Sequence, residues 1–177
     1  LLRVDRFKLR HLLFAGGWSE LMTRELILRP RAVGVLLFDP AQQQVVLVRQ
    51  IRVGMLDEGQ NPWLLELVAG MVESGEEPIE VAARESLEEA NTKPQDLLQI
   101  CEYYNSTGIS NERITMFCGR VDATQAGGIF GLDAEPEDIG VVVLSTAAAR
   151  ARVASGGVQY LMSNVRLHGS QLNRLVL

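Results

Sequence analysis

Gly70-Met-Val-Glu-Ser-Gly-Glu76-Glu-Pro-Ile-Glu-Val-Ala-Ala-Arg84-Glu85-Ser-Leu-Glu88-Glu89 is the stretch on which the reading of this chain turns. Residues 73–89 hold seven glutamates and one arginine, a formal charge of −6, while the whole chain carries −5. The rest of the protein is therefore close to neutral, and the acidity is local. Pro78 suits the first turn of a helix, where its missing N–H is not needed. The spacing predicts a helix from Pro78 to Ala90. On it Glu85, Glu88 and Glu89 are three and four residues apart and project from one face. Ile79, Ala82, Ala83, Leu87 and Ala90 are expected to supply its apolar contacts. Like charges this close repel, and a hard divalent cation such as Mg²⁺ or Mn²⁺ takes carboxylate oxygens of this kind. Gly70 lets the preceding loop approach closely, so the Ala69 carbonyl is a further candidate ligand. Arg84 is placed to orient a carboxylate through charge-assisted hydrogen bonds.

Outside that stretch the chain reads as alternating strands and helices. Residues 3–13 alternate apolar with basic, Gly16-Gly17 marks a turn, and residues 21–28 form a second strand. Residues 1–30 are thus a small antiparallel β unit, and residues 31–177 a second domain. Residues 32–38 and 44–53 form a hairpin across Asp39-Pro40. Residues 63–68 are a strand leading into Ala69-Gly70. Further strands are expected at 98–104, 113–121 and 141–144, a long acidic loop at 127–138, and helices at Thr146–Ala154 and 164–176. With no repeated βα period, the expected architecture is α/β, a mixed sheet sandwiched between helices.

Composition excludes several classes. The net charge of −5 argues against nucleic acid or an anionic membrane as partner. No apolar run has the length to span a bilayer. Cys101 and Cys118 lie in strand-like runs with no CxxC pattern. They are read as buried, reduced thiols of a cytoplasmic protein. The chain opens on Leu1 rather than Met, and residues are expected to be missing before it.

The order G-x5-E-x7-R-E-x2-E-E fixes six positions over 20 residues and resembles the box of the Nudix hydrolases, which cleave nucleoside diphosphates linked to another moiety. Ser86, Asn91 and Thr92 depart from the usual apolar, Gly and apolar residues. Asn is the next-best residue for a left-handed helix end. Beyond the box, the chain is similar to the ADP-ribose pyrophosphatases. The likeness is carried by Leu9-Arg10-His11-x2-Phe14-x-Gly16-Gly17, by Val46-Leu47-Val48-Arg49-Gln50-Ile51-Arg52, and by Trp63-Leu64-Leu65-Glu66-Leu67-Val68-Ala69-Gly70. Gly131-Leu132-x2-Glu135-x-Glu137-Asp138-Ile139 adds to it.

That resemblance implies a Nudix α/β/α sandwich and Mg²⁺-dependent hydrolysis of ADP-ribose to AMP and ribose 5-phosphate. It implies Glu85, Glu88, Glu89 and Ala69 as metal ligands, and Arg24, Arg52, Glu112 and Gly108 against substrate. Glu135 becomes the base, with Glu137 beside it, and Glu88 and Arg84 join the catalytic set. It also implies a homodimer made through the N-terminal unit. Two departures bear on specificity: Ser106-Thr107-Gly108 stands where Ser-Pro-Gly is usual, and Leu1-Leu2 where an aromatic can stack on adenine. A pyrophosphatase for another nucleoside diphosphate sugar, such as GDP-mannose, and a non-catalytic nucleotide-sugar sensor are the alternatives.

Overall fold

The computed structural model describes residues 2–56, 59, 61–131 and 137–158. Its centre is β3 (Ala32–Asp39), a strand with apolar residues on both faces. Val33, Val35 and Leu37 pack toward one helix while Leu36 and Phe38 pack toward the other side. This period of two is what a strand buried on both faces requires. β4 (Gln44–Ile51) repeats the division, with Val46 and Val48 on the first side and Val45 and Leu47 on the second. β8 (Arg113–Arg120) lies parallel to β3, and β7 (Gln95–Tyr104) is antiparallel to β8. On the far side β10 (Ile139–Ser145) pairs with β4, and the short β9 (Gly128–Phe130) with β10. Helix α1 (Pro78–Ala90) covers one face and α2 (Thr146–Ala154) the other, so the mixed α/β sandwich expected from sequence is the fold.

The sheet splays next to β3. The last residues of β3 pair with β4, whereas its first four pair with β6 (Val68–Met71). β5 (Trp63–Glu66) pairs in turn with the far end of β4. The run expected as one strand at 63–68 is thus two, broken at Leu67, because its halves serve different partners. Between the splayed ends lies the space in which the acidic helix faces the sheet.

β1 (Arg3–Leu9) and β2 (Met22–Leu28) form a separate two-stranded sheet. The first strand stops four residues short of the expected end, and Leu12 makes an isolated bridge to Trp18 around the Gly16-Gly17 turn. The acidic stretch expected as a continuous loop contains β9, since residues 128–130 add to the edge of β10. The helix expected at 164–176 falls outside the described residues. Cys118 is buried, but Cys101 only partly so, because β7 lies at the sheet's edge.

Candidate active site

Both ends of α1 are fixed locally. Glu77 caps its start in a capping box with Glu80, and Pro78 follows as the first helical residue. Asn91 ends it in the left-handed conformation, φ 45° and ψ 37°, as a glycine would. Ser86 is accommodated because its hydroxyl donates to the Ala82 carbonyl at 2.6 Å. Thr92 is likewise buried, its hydroxyl on the Ala90 carbonyl at 2.8 Å.

The orientation of the helix corrects the sequence expectation. Ile79 and Leu87 are 47% and 54% exposed, and Ala83 is exposed too. The buried residues are Val81, Ala82, Ser86, Glu89 and Ala90. The carboxylates of Glu85 and Glu89 therefore share the inward face with the packing residues. Their surroundings make this tolerable. Glu89 accepts the Ala69 N–H at 3.1 Å and the Gln50 amide at 3.4 Å. Glu85 lies against Gly70, where a Cβ would collide with its side chain.

Arg84 lies among the remaining acids. Its Nη1 donates to Glu85 and to Glu88 at 2.9 Å each, and Nε to Glu76 at 3.2 Å. Burial opposes its charge, but these carboxylates outweigh it and raise the Arg84 pKa. Burial pushes Glu85 up to about 7, against the pull of Arg84 and with the repulsion of Glu88 behind it. Burial also pushes Glu89 up to about 8; the Ala69 N–H opposes this, and Glu85 and Glu137 reinforce it. One guanidinium is thus too little positive charge for the cluster.

These groups line one wall of a cavity of about 300 Å³. Arg52 and Gln50 from the end of β4, Ala69 and Gly70 from β6, and Glu137 also line it. Arg29 and Glu112 line it as well. Arg52 is held by Glu66, which has no exposed surface; the bonds run from Nε at 3.0 and 3.1 Å and from Nη2 at 2.6 Å. Glu112 accepts from Asn105 at 2.7 Å and from Arg29 at 3.3 Å.

Of the residues singled out from sequence, Arg84, Glu85, Glu88, Glu89, Ala69, Arg52 and Glu112 come together around this cavity. Arg24 does not line it; it stands exposed on β2 opposite Phe7, donating to its neighbour's carbonyl. Gly108 occupies an exposed turn, also away from the lining. Glu135 lies outside the described residues. Sequence reading gave no role to Gln50, Glu66 or Arg29. Glu66 carried a signal, a lone acid in an apolar run, which burial permits only with a partner.

As placed, no three acidic, His or Cys side chains among the described residues are set to hold a metal ion. Arg84 draws Glu85 and Glu88 toward itself, and Glu89 turns to Ala69. The donor set nonetheless fits a hard divalent cation: the ligands are all oxygen, and Arg84 alone is shared among Glu76, Glu85 and Glu88.

Comparison with known proteins follows the same line. The NUDIX domain family matches residues 28–157. An ADP-ribose pyrophosphatase of Haemophilus influenzae is 42% identical over 173 residues, 96% of this chain and 80% of the relative. One from Escherichia coli K12 is 40% identical over 174 residues, 98% of this chain and 83% of the relative. A GDP-mannose pyrophosphatase of Citrobacter koseri is 31% identical over 154 residues, 84% of this chain and 79% of the relative. With the acid-rich helix, the splayed mixed sheet and this likeness along nearly its whole length, the chain belongs to the Nudix family.

Proposed function

We propose that this protein hydrolyses the diphosphate bond of ADP-ribose to AMP and ribose 5-phosphate. The observation that carries the reading is the identity of 40–42% to ADP-ribose pyrophosphatases over nearly the whole chain. The cavity supports it chemically, by lining one space with arginines and a carboxylate cluster. Nudix pyrophosphatases generally use divalent metal ions. Mg²⁺, with Mn²⁺ as a substitute, is the ion assigned here, and Glu85, Glu88, Glu89 and the Ala69 carbonyl are the groups that would hold it. Such an ion neutralises diphosphate charge and activates water. The chain's own residues do the rest. Gln50 and the Ala69 N–H orient Glu89, Arg84 orients Glu85 and Glu88, and Arg52, aimed by Glu66, binds a phosphate oxygen pair. Glu135, which lies outside the described residues, is assigned as the base that takes the proton from the attacking water; Glu137, two residues later in the chain, lines the cavity. Arg24 and Gly108 complete the substrate contacts in this reading, Arg24 toward a partner copy.

We assign a homodimer formed through β1 and β2. Among the large apolar residues they and their turn expose are Val4, Phe7, Leu12, Phe14 and Trp18. A two-stranded sheet with so much bare apolar surface is marginal alone. Two cysteines in strands with no CxxC pattern suit a cytoplasmic site of action, and no helix among the described residues is long and apolar enough to cross a membrane. Incubation with Mg²⁺ and a panel of ADP-ribose, GDP-mannose and other nucleoside diphosphate sugars is the test. ADP-ribose is expected to be cleaved with the highest kcat/KM. Preference for GDP-mannose would install the second reading, which Thr107 and the more distant relatives favour.

A further inference from the structure

Glu112 puts a carboxylate on the wall of a cavity assigned above to an anionic diphosphate. Such a substrate can satisfy it only with a sugar hydroxyl or a base amino group, because phosphate oxygens are acceptors. A glutamate side chain is flexible, and one left loose has to be ordered each time substrate binds. We propose that Asn105 is a positioning residue that fixes the Glu112 carboxylate to receive such a donor. The inference rests on the nucleoside diphosphate sugar reading given above.

Asn105 directly follows β7, and Glu112 directly precedes β8. Two bonds join the same two residues there. The Asn105 N–H donates to the Glu112 carbonyl at 3.0 Å, and Asn105 Nδ2 donates to Glu112 Oε2 at 2.7 Å. The first closes the loop, and the second selects the side-chain rotamer of Glu112. The Glu112 N–H donates to Ser110 Oγ at 3.1 Å, so its main chain is held on both sides. Its other carboxylate oxygen receives Arg29 Nε at a longer 3.3 Å, which makes Asn105 the tighter anchor. Asn105 is half-buried and does not line the cavity, so it acts through Glu112 rather than on substrate. Its chemistry suits that task. Facing a carboxylate, the amide must present its NH₂ end. The bond uses one lone pair of Oε2 and brings no charge, leaving acceptor capacity for a ligand. An aspartate of the same shape would present acceptors alone.

The experiment is a double-mutant cycle on ADP-ribose with Mg²⁺, reading KM and kcat beside thermal melts. Its members are wild type, Asn105→Ala, Glu112→Ala and the two combined, with Asn105→Asp measured alone and with Glu112→Ala. Asn105→Ala should raise KM about 5- to 20-fold while kcat changes far less. Asn105→Asp should raise KM further, because its carboxylate repels that of Glu112. With Glu112→Ala already in place, either change at Asn105 should move KM by less than about 2-fold. The main-chain bond from Asn105 survives every substitution, and the melts confirm a folded protein. Should Asn105→Ala fail to fold, the isosteric Asn105→Asp carries the same comparison. An unchanged KM overturns the inference. So does an equal rise with and without Glu112, which marks Asn105 as merely holding the loop. A wild type that prefers GDP-mannose overturns the ADP-ribose reading instead, and the same cycle is then decided on GDP-mannose.

Discussion

Arg52 and Glu66 are joined by three hydrogen bonds, the shortest 2.6 Å, with Glu66 wholly buried and Arg52 reaching the cavity. Removing only the arginine strands a buried carboxylate. Arg52→Ala is expected to destabilise the protein by about 3 kcal/mol or more. Arg52→Ala with Glu66→Leu should recover much of that loss without restoring substrate affinity. Urea denaturation of the single and double variants, set beside KM, checks both statements.

Glu85 and Glu89 sit on the packed face of α1, and glutamine keeps the shape of each while removing its charge. Glu85→Gln and Glu89→Gln should each lower kcat by about 100-fold or more. Their circular dichroism and cooperative unfolding should remain. Wild-type turnover in Glu89→Gln would remove the metal-ligand assignment.

Gly70 is where β6 passes the Glu85 carboxylate, and any Cβ there meets that side chain. Gly70→Ala is expected to swing Glu85 aside, since its end is the movable part. Mg²⁺ affinity should fall about 10- to 100-fold, with stability little changed. Titrating activity against Mg²⁺ concentration reads the shift.

The raised carboxyls give a signed pH dependence. Glu85 and Glu89 titrate at about 7 and about 8 in the fold against an ordinary 4.5. The native protein thus holds protons that the unfolded chain has released, and without cation these two groups make stability fall as pH rises from about 4.5 to 8. Mg²⁺ favours the ionised forms, so its gain in Tm should be larger at pH 8 than at pH 6. Thermal melts with Mg²⁺ and with EDTA test this; an equal gain at both pH values would contradict it.

Sedimentation should report about twice the 19.5 kDa chain mass. Phe7→Glu with Leu9→Glu, placed on the exposed side of β1, should shift the protein toward monomer. Sedimentation of the wild type as a monomer at micromolar concentration would rule the dimer out.

The reach of sequence reading follows from which forces are local. The ends of α1 were legible because Pro78 and Asn91 act through their own backbone preferences. The strands β3 and β4 were legible because burial on both faces leaves continuous apolar runs. The inward face of α1 was not. Counting apolar residues sends Ile79 and Leu87 inside, whereas Ala69, Gln50 and Arg84, distant in sequence or committed elsewhere, make burial of Glu89 and Glu85 possible. Arg29 was invisible for a similar reason. Its place beside Glu112, 83 residues away, is created by the contact between β2 and the loop at 106–112.

Around Thr107 that loop is held by main-chain atoms. Ile109 and Ser110 both donate to the Ser106 carbonyl, Asn105 to that of Glu112, and Ile27 to that of Ile109, while Asn111 donates back to Ile27. Peptide groups do not care which side chain they carry. Thr107, where a proline is usual, makes none of these bonds, so the segment leading to Glu112 on the cavity wall can exchange side chains while keeping its shape. A family that shares one hydrolytic core could diversify its clientele at such a place, and at little cost to folding.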